Sequence, residues 1–130
     1  MIIVLDSNEY INFLNEGVSL DEITSNDIFT IYINETITKE VLNNIKEYLK
    51  KDFFGFLFTN NIIPNNQKIP YELLEKYKKL GLKKGDIAIS AFSEHIKADY
   101  LITENRHFLK KRKFEMFKVA SLKGFLKKLK

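Results

Sequence analysis

The chain has 130 residues, a formal charge of +4, 45% hydrophobic residues, and neither cysteine nor tryptophan. That length and apolar content make one domain with its own core, and the missing thiols exclude disulfides, thiol catalysis and cysteine-held zinc or iron–sulfur centres. The first apolar run, four residues after Met1, has no basic stretch before it and runs into Asp6. Neither a signal peptide nor a membrane span is expected, and a cytoplasmic location is.

Apolar runs alternate with amphipathic stretches, the pattern of an α/β protein built on a parallel sheet. Ile2 to Leu5 reads as a short buried strand. Asp6-Ser7-Asn8 follows as a turn and cap, and Tyr10, Ile11, Phe13 and Leu14 supply a helical face that stops at Gly17. Phe29 to Ile33 is a second strand. Val41, Leu42, Ile45, Tyr48 and Leu49 recur at helical spacing, which predicts a helix from near Thr38, with Thr38 as N-cap and Glu40 in the first turn. The stretch Phe53-Phe54-Gly55-Phe56-Leu57-Phe58 reads as a short helix packed in the core, with a dimer surface as the other reading.

Asn60 to Pro70 is read as a loop. Pro70 suits the first turn of a helix running to Leu80, with Gly81 as its stop. A tight connector then delivers Asp86 to the start of the next helix. Tyr100 to Thr103 and Phe117 to Ala120 are the last two strands, and Ser121 caps a basic C-terminal helix. There is no internal repeat, and one domain spans residues 1–130.

Four polar side chains fall where strands end or helices begin. Asp6 closes the first strand, Glu40 lies early in a helix, Asp86 opens a helix, and Asn105 follows a strand after one intervening residue. In an open parallel sheet these positions share one edge, where ligands bind. Oxygen donors gathered there suit a hard divalent cation, Mg²⁺ or Mn²⁺. Each residue alone has an ordinary explanation, because Asp and Asn cap helices and carboxylates complement the helix dipole. That explanation does not account for all four at one edge. Asp99 precedes a strand and is expected at the opposite edge, in a structural role.

Other sites are poorer. There is no phosphate loop, no dinucleotide fingerprint and no nucleophile elbow. His95 and His107 stand twelve residues apart without a metalloprotease context. From Leu109 onward nine basic residues meet one acid, a local charge of +8 that leaves −4 for residues 1–108. A basic flank beside an acidic pocket suits an enzyme acting on a polyanion; a solvated lysine-rich face is the other reading.

At these residues the chain resembles the PIN-domain family of nucleases over nearly its whole length. Ile2-Ile3-Val4-Leu5-Asp6-Ser7-Asn8 is similar to the family's first strand and catalytic Asp, and Ile37-Thr38-Lys39-Glu40-Val41-Leu42 to the segment carrying its second acid. Lys84-Gly85-Asp86-Ile87-Ala88-Ile89-Ser90-Ala91 resembles the third-acid motif, and Thr103-Glu104-Asn105-Arg106-His107-Phe108 the motif in which a strand ends in Thr before an Asp or Asn. The resemblance implies a three-layer α/β/α sandwich with a central, mainly parallel sheet. It implies a Mg²⁺- or Mn²⁺-dependent ribonuclease that prefers single-stranded RNA. Many members are VapC-type toxins, homodimeric and inhibited by a small antitoxin.

Carried onto this chain, the resemblance makes Asp6, Glu40 and Asp86 the metal-site acids and puts Asn105 in the fourth position. Ser7, Asn8 and Thr103 would support them by hydrogen bonds. Arg106, Lys110, Lys111, Arg112 and Lys113 would engage the RNA backbone. The departure is Asn105, a neutral amide where many members keep Asp, which puts a two-metal mechanism in doubt. Glu104 is the nearest acid that would compensate. The alternatives are a PIN-fold RNA-binding or scaffold protein with little catalysis, and, ranked lower, a receiver-like signalling domain.

Overall fold

The computed structural model describes residues 1–110 and 114–130. Its sheet grows outward from β1 (Ile2–Leu5), whose run of branched side chains is buried from Ile3 onward. A strand covered on both faces reads as a continuous apolar run instead of an alternating one. On one side β1 pairs with β2 (Thr30–Ile33), in register Ile3 to Ile31; on the other it pairs with β4 (Tyr100–Ile102), in register Val4 to Leu101. The two-residue β3 (Ile63–Pro64) and β5 (Lys118–Ala120) complete a five-stranded sheet of order β3-β2-β1-β4-β5, parallel throughout. Parallel strands need crossover helices, and winding outward from β1 in both directions puts those helices on both faces. The result is the α/β/α architecture expected from the sequence.

The first crossover holds α1 (Ser7–Glu16) and the short α2 (Asp21–Thr24). Helix α1 starts on the Asp6 side chain, which accepts from Ser7 N–H. It stops at Gly17, whose φ of 70° closes the last turn as glycine does most readily.

Helix α3 (Glu35–Asn43) corrects the sequence reading in two ways. It begins before Thr38, because the Asn34 side chain caps it through Ile37 N–H at 2.9 Å, and Glu40 therefore sits in its second half. The apolar spacing from Val41 to Leu49 is not one helix either. The Asn44 side chain donates to the Glu40 carbonyl and ends α3, and a 3₁₀ turn (Glu47–Leu49) leads into α4 (Lys50–Thr59). The aromatic stretch is split rather than wholly core: on α4, Phe53 and Leu57 are buried, while Phe54 is half-exposed and Phe58 is 87% exposed.

The stretch read as a loop contains β3, too short to show any periodicity, with its proline on the edge strand where a missing N–H is tolerated. Then follow α5 (Tyr71–Lys79), which starts after Pro70, and α6 (Lys84–His95). Helix α7 (Arg106–Lys110) follows β4, and α8 (Leu122–Leu129) is capped by Ser121 as expected. The core between sheet and helices includes Tyr10 edge-on to Phe53 and Tyr100 edge-on to Phe125. No described helix is long and apolar enough to cross a membrane.

Candidate functional site

Strand order reverses at β1, so the chain leaves β1 and β4 toward opposite faces and opens a crevice at their C-terminal ends. Asp6 enters from β1, Glu40 from α3, Asp86 from the first turn of α6, and Asn105 from the turn between β4 and α7. With Ser7 and Asn8 they line a cleft of about 520 Å³. The structure therefore brings together six of the residues singled out in the sequence, and Thr103 lies directly behind them.

Asp6 is the most constrained. It is 3% exposed, its Oδ1 accepts from Ser7 N–H at 2.7 Å, and its Oδ2 accepts from the Thr103 hydroxyl at 2.6 Å. Its own N–H donates to the Ile102 carbonyl at 2.9 Å, locking the end of β1 to β4. Burial nevertheless pushes its carboxyl above the usual range, against the opposing pull of those hydrogen bonds. Glu40 is raised by burial first and also by the charges of Asp6 and Asp86, with the nearby Ser7 hydroxyl pulling the other way. Asp86 is raised by burial and by Asp6, and is pulled back by His107 and by Asn105.

Gly85 makes room for this arrangement. A Cβ there would overlap the Glu40 carboxylate oxygen, so only a glycine lets α6 pass the end of Glu40 in its present position. Asn105 is held by three bonds. Its backbone N–H donates to the Thr103 hydroxyl at 3.0 Å, its Oδ1 accepts from His107 N–H at 2.9 Å, and its Nδ2 donates to Asp86 Oδ1 at 3.4 Å. The amide thus presents a donor to Asp86, and its oxygen is engaged in starting α7.

The donor chemistry fits a hard cation: three carboxylates of raised proton affinity face one polar cleft, and a missing side chain at Gly85 cradles one of them. Among the described residues no three acid or imidazole groups converge closely enough to hold a metal by themselves. Mg²⁺ asks for less than that, because it keeps several waters and takes only one or two carboxylates directly.

Three residues acquire roles that the sequence reading did not give them. His107, set aside there for want of a motif, lines a small pocket together with Asp86 and Lys83. Glu104 does not compensate for Asn105. Its Oε2 accepts from Leu122 N–H at 2.9 Å, and it does not line the cleft. Glu9 is 2% exposed and pushed up to about 8, by burial first and then by Glu104 and Asp6. The only sequence signal for these three was proximity to Asp6 or Asn105.

The basic residues are divided. Arg106 and Lys110 lie on α7, at the cleft edge of the sheet; Lys111, Arg112 and Lys113 lie outside the described residues. Lys118 and Lys128 stand over the ring of Tyr100, the first residue of β4, and so at the opposite edge. Asp99 is also at that edge, accepting from Ile2 N–H at 2.7 Å, as expected.

No family model matches the sequence, and no curated protein matches it. Among solved structures the fold is similar to a chain in the crystal structure of VapBC2 from Rickettsia felis bound to a DNA fragment from their promoter. The identity is 16%, the TM-score is 0.63, and the match covers 93% of this chain and 98% of that one. At that identity the likeness speaks to the fold alone, and the fold is PIN-like.

Proposed function

We propose that this chain is one PIN-like domain acting as a divalent-metal-dependent endoribonuclease on single-stranded RNA, and that it is the toxin of a toxin–antitoxin pair. The observation that carries the reading is the convergence of Asp6, Glu40 and Asp86 on one polar cleft at the switch point of the sheet, where burial first and neighbouring charge second raise Glu40 and Asp86. Three carboxylates facing one another are costly unless a cation or protons offset them.

Asp6 and Asp86 would hold Mg²⁺ or Mn²⁺ directly, with Glu40 binding it or positioning the attacking water. The bound ion would supply a water of lowered pKa and charge neutralisation at the phosphate. The chain's own contribution is orientation. Thr103 and the Ser7 N–H and hydroxyl fix the Asp6 carboxylate, the bare Gly85 leaves room for Glu40, and Asn105 steadies Asp86. Asn8 adds an amide to the cleft wall. Arg106 and Lys110 on α7, and Lys111, Arg112 and Lys113 that follow in the sequence, would meet the RNA backbone, where cations set affinity without reading sequence.

A homodimer, a small antitoxin and a cytoplasmic location belong to the same reading and rest on the resemblance. The similarity to a chain of VapBC2 is in keeping with it. The deciding experiment is cleavage of mixed single-stranded RNA in Mn²⁺, Mg²⁺ or EDTA, with wild type beside Asp6→Asn. Cleavage that needs metal and is lost in the variant supports the nuclease. RNA binding without cleavage by the folded wild type would instead make the protein a binding module or scaffold.

A further inference from the structure

We infer that the acid cleft continues as a groove along the seam of α1 and α3, and that single-stranded RNA lies in it with a base stacked on Tyr48. This rests on the nuclease reading for the identity of the polymer and extends it to where the strand is held. The cleft does not end at the acids. Beyond Asp6, Ser7 and Asn8 it is lined by Ile11 and Asn15 of α1 and by Asn44 at the end of α3. Asn8, Ile11 and Asn15 follow one another at the spacing of a single helix face, as do Glu40 and Asn44. From Asn8 to Asn15 the wall runs about 10 Å, the rise of about three stacked nucleotides.

Asn15 and Asn44 also line a second cavity of about 620 Å³, which makes the two spaces one groove. No residue of α6 or α7 lines this second part; it lies between the end of α1 and the segment from Asn43 to Leu49. Side chains tie its walls together. Asn15 Nδ2 donates to the Asn44 carbonyl at 3.4 Å, and Asn44 Nδ2 donates to the Glu40 carbonyl at 2.7 Å, so the groove is anchored on the helix that carries Glu40. The side-chain amides of Asn8 and Asn43 make no hydrogen bond among the described residues. An amide carries a donor and an acceptor together, the pair that meets the edge of an unpaired base.

Tyr48 and Lys46 make RNA the fitting occupant. Tyr48 is 77% exposed and yet belongs to the groove wall. Its ring offers a flat face to an unstacked base, which a single strand supplies and a duplex does not. Lys46 lines the same part and joins no ion pair among the described residues, whereas Lys50 is held by Glu47. A free ammonium beside the ring suits a backbone phosphate. Glu16 is the one acid among the described residues lining this part, so the wall has no net charge. A polyanion leaving the three carboxylates therefore meets less repulsion along this path.

The test uses the full chain in EDTA with a single-stranded oligoribonucleotide, labelled for anisotropy or carrying 5-iodouridine, which photocrosslinks to aromatic side chains it stacks on. Crosslinks are expected in the peptide that holds Tyr48. Tyr48→Ala is expected to weaken binding on the order of tenfold to a hundredfold, as loss of one stacked base does, and Tyr48→Phe to stay within about twofold of wild type. Lys46→Ala should lower the slope of log affinity against log salt by about 0.7. Tyr71→Ala, an exposed aromatic outside the groove, should bind as wild type does. Wild-type affinity in Tyr48→Ala, or crosslinks confined to α7, would overturn the inference. Unchanged RNA affinity with loss of a dimer in Tyr48→Ala, read by sedimentation, would overturn it in favour of a second copy of the chain. Mn²⁺-dependent KM and kcat, read alongside, separate the two readings. Crosslinking at Tyr48 by a protein that cuts no RNA removes the nuclease and leaves the groove. Cleavage with an unchanged KM in Tyr48→Ala leaves the nuclease and removes the groove.

Discussion

Gly85 lies against the carboxylate of Glu40 with no room for a methyl group between them. The clash would be with the far end of a flexible side chain, so Gly85→Ala is expected to displace Glu40 instead of disrupting α6. Alanine is also the better helix former by roughly 0.5–1 kcal/mol. Gly85→Ala should therefore melt at or slightly above the wild-type temperature and lose on the order of tenfold or more in metal-dependent cleavage, as misplaced groups do. Thermal melts beside kcat check it. Full activity in the alanine variant would remove Glu40 from the site.

Thr103 is the hinge pin of the site, donating to Asp6 and accepting from Asn105 N–H through the same oxygen. Thr103→Val keeps the shape and removes both bonds inside a fully buried position. Leaving a buried acceptor and donor unpaired costs about 1–3 kcal/mol. Denaturant titration should show that loss in metal-free protein. An unchanged midpoint would mean that the two bonds contribute nothing to folding.

The acids also predict how stability varies with pH. Asp6, Glu40, Asp86 and Glu9 all sit above their ordinary values, Glu9 at about 8. A raised folded-state pKa means that the native state binds more protons than the unfolded chain, so stability is full below the ordinary carboxylate range and falls as pH rises. For Glu9 the loss runs from near pH 4.5 through about 8. In EDTA the protein should lose up to a few kcal/mol between pH 5 and 9, as linkage requires. Glu9→Gln, which has no proton to lose, should flatten much of that slope. A curve as steep as wild type would show that Glu9 ionises without cost to the fold.

The elements were legible in the sequence wherever a pattern was long or sharply bounded. The run Ile2 to Leu5, the proline before α5, the Gly17 stop and the Ser121 cap each correspond to an observed boundary. The region from Asn34 to Leu49 was misread, because a cap is a local hydrogen bond and the side-chain oxygens of Thr38 and Asn34 can each accept one. The observed cap is Asn34, while the Thr38 hydroxyl donates back to the Asn34 carbonyl. Asp6, Asp86 and Asn105 were legible because strand and helix ends are, whereas Glu40 reaches the cleft from the second half of α3 and not from the first turn in which it was expected. The contacts of Glu9, Glu104, His107 and Gly85 depend on which elements meet in space, and no spacing along the chain encodes them.

Asn105→Asp separates the two jobs of this side chain. Aspartate retains an oxygen for His107 N–H, so the start of α7 should survive. It removes the Nδ2 donor to Asp86 and adds a fourth negative charge to a cleft whose acids already repel one another. Without metal the variant should be less stable than wild type at pH 8 and closer to it at pH 5, where added protons relieve the repulsion. With Mn²⁺ the order should reverse, because a ligand that binds only the folded state stabilises by the logarithm of its concentration over its dissociation constant. A site richer in carboxylate should bind the ion more tightly. Melting temperatures across a Mn²⁺ titration give the answer: a larger metal-induced rise in Asn105→Asp than in wild type places residue 105 at the ion. An equal rise would leave Asn105 as a group that steadies Asp86 and nothing more.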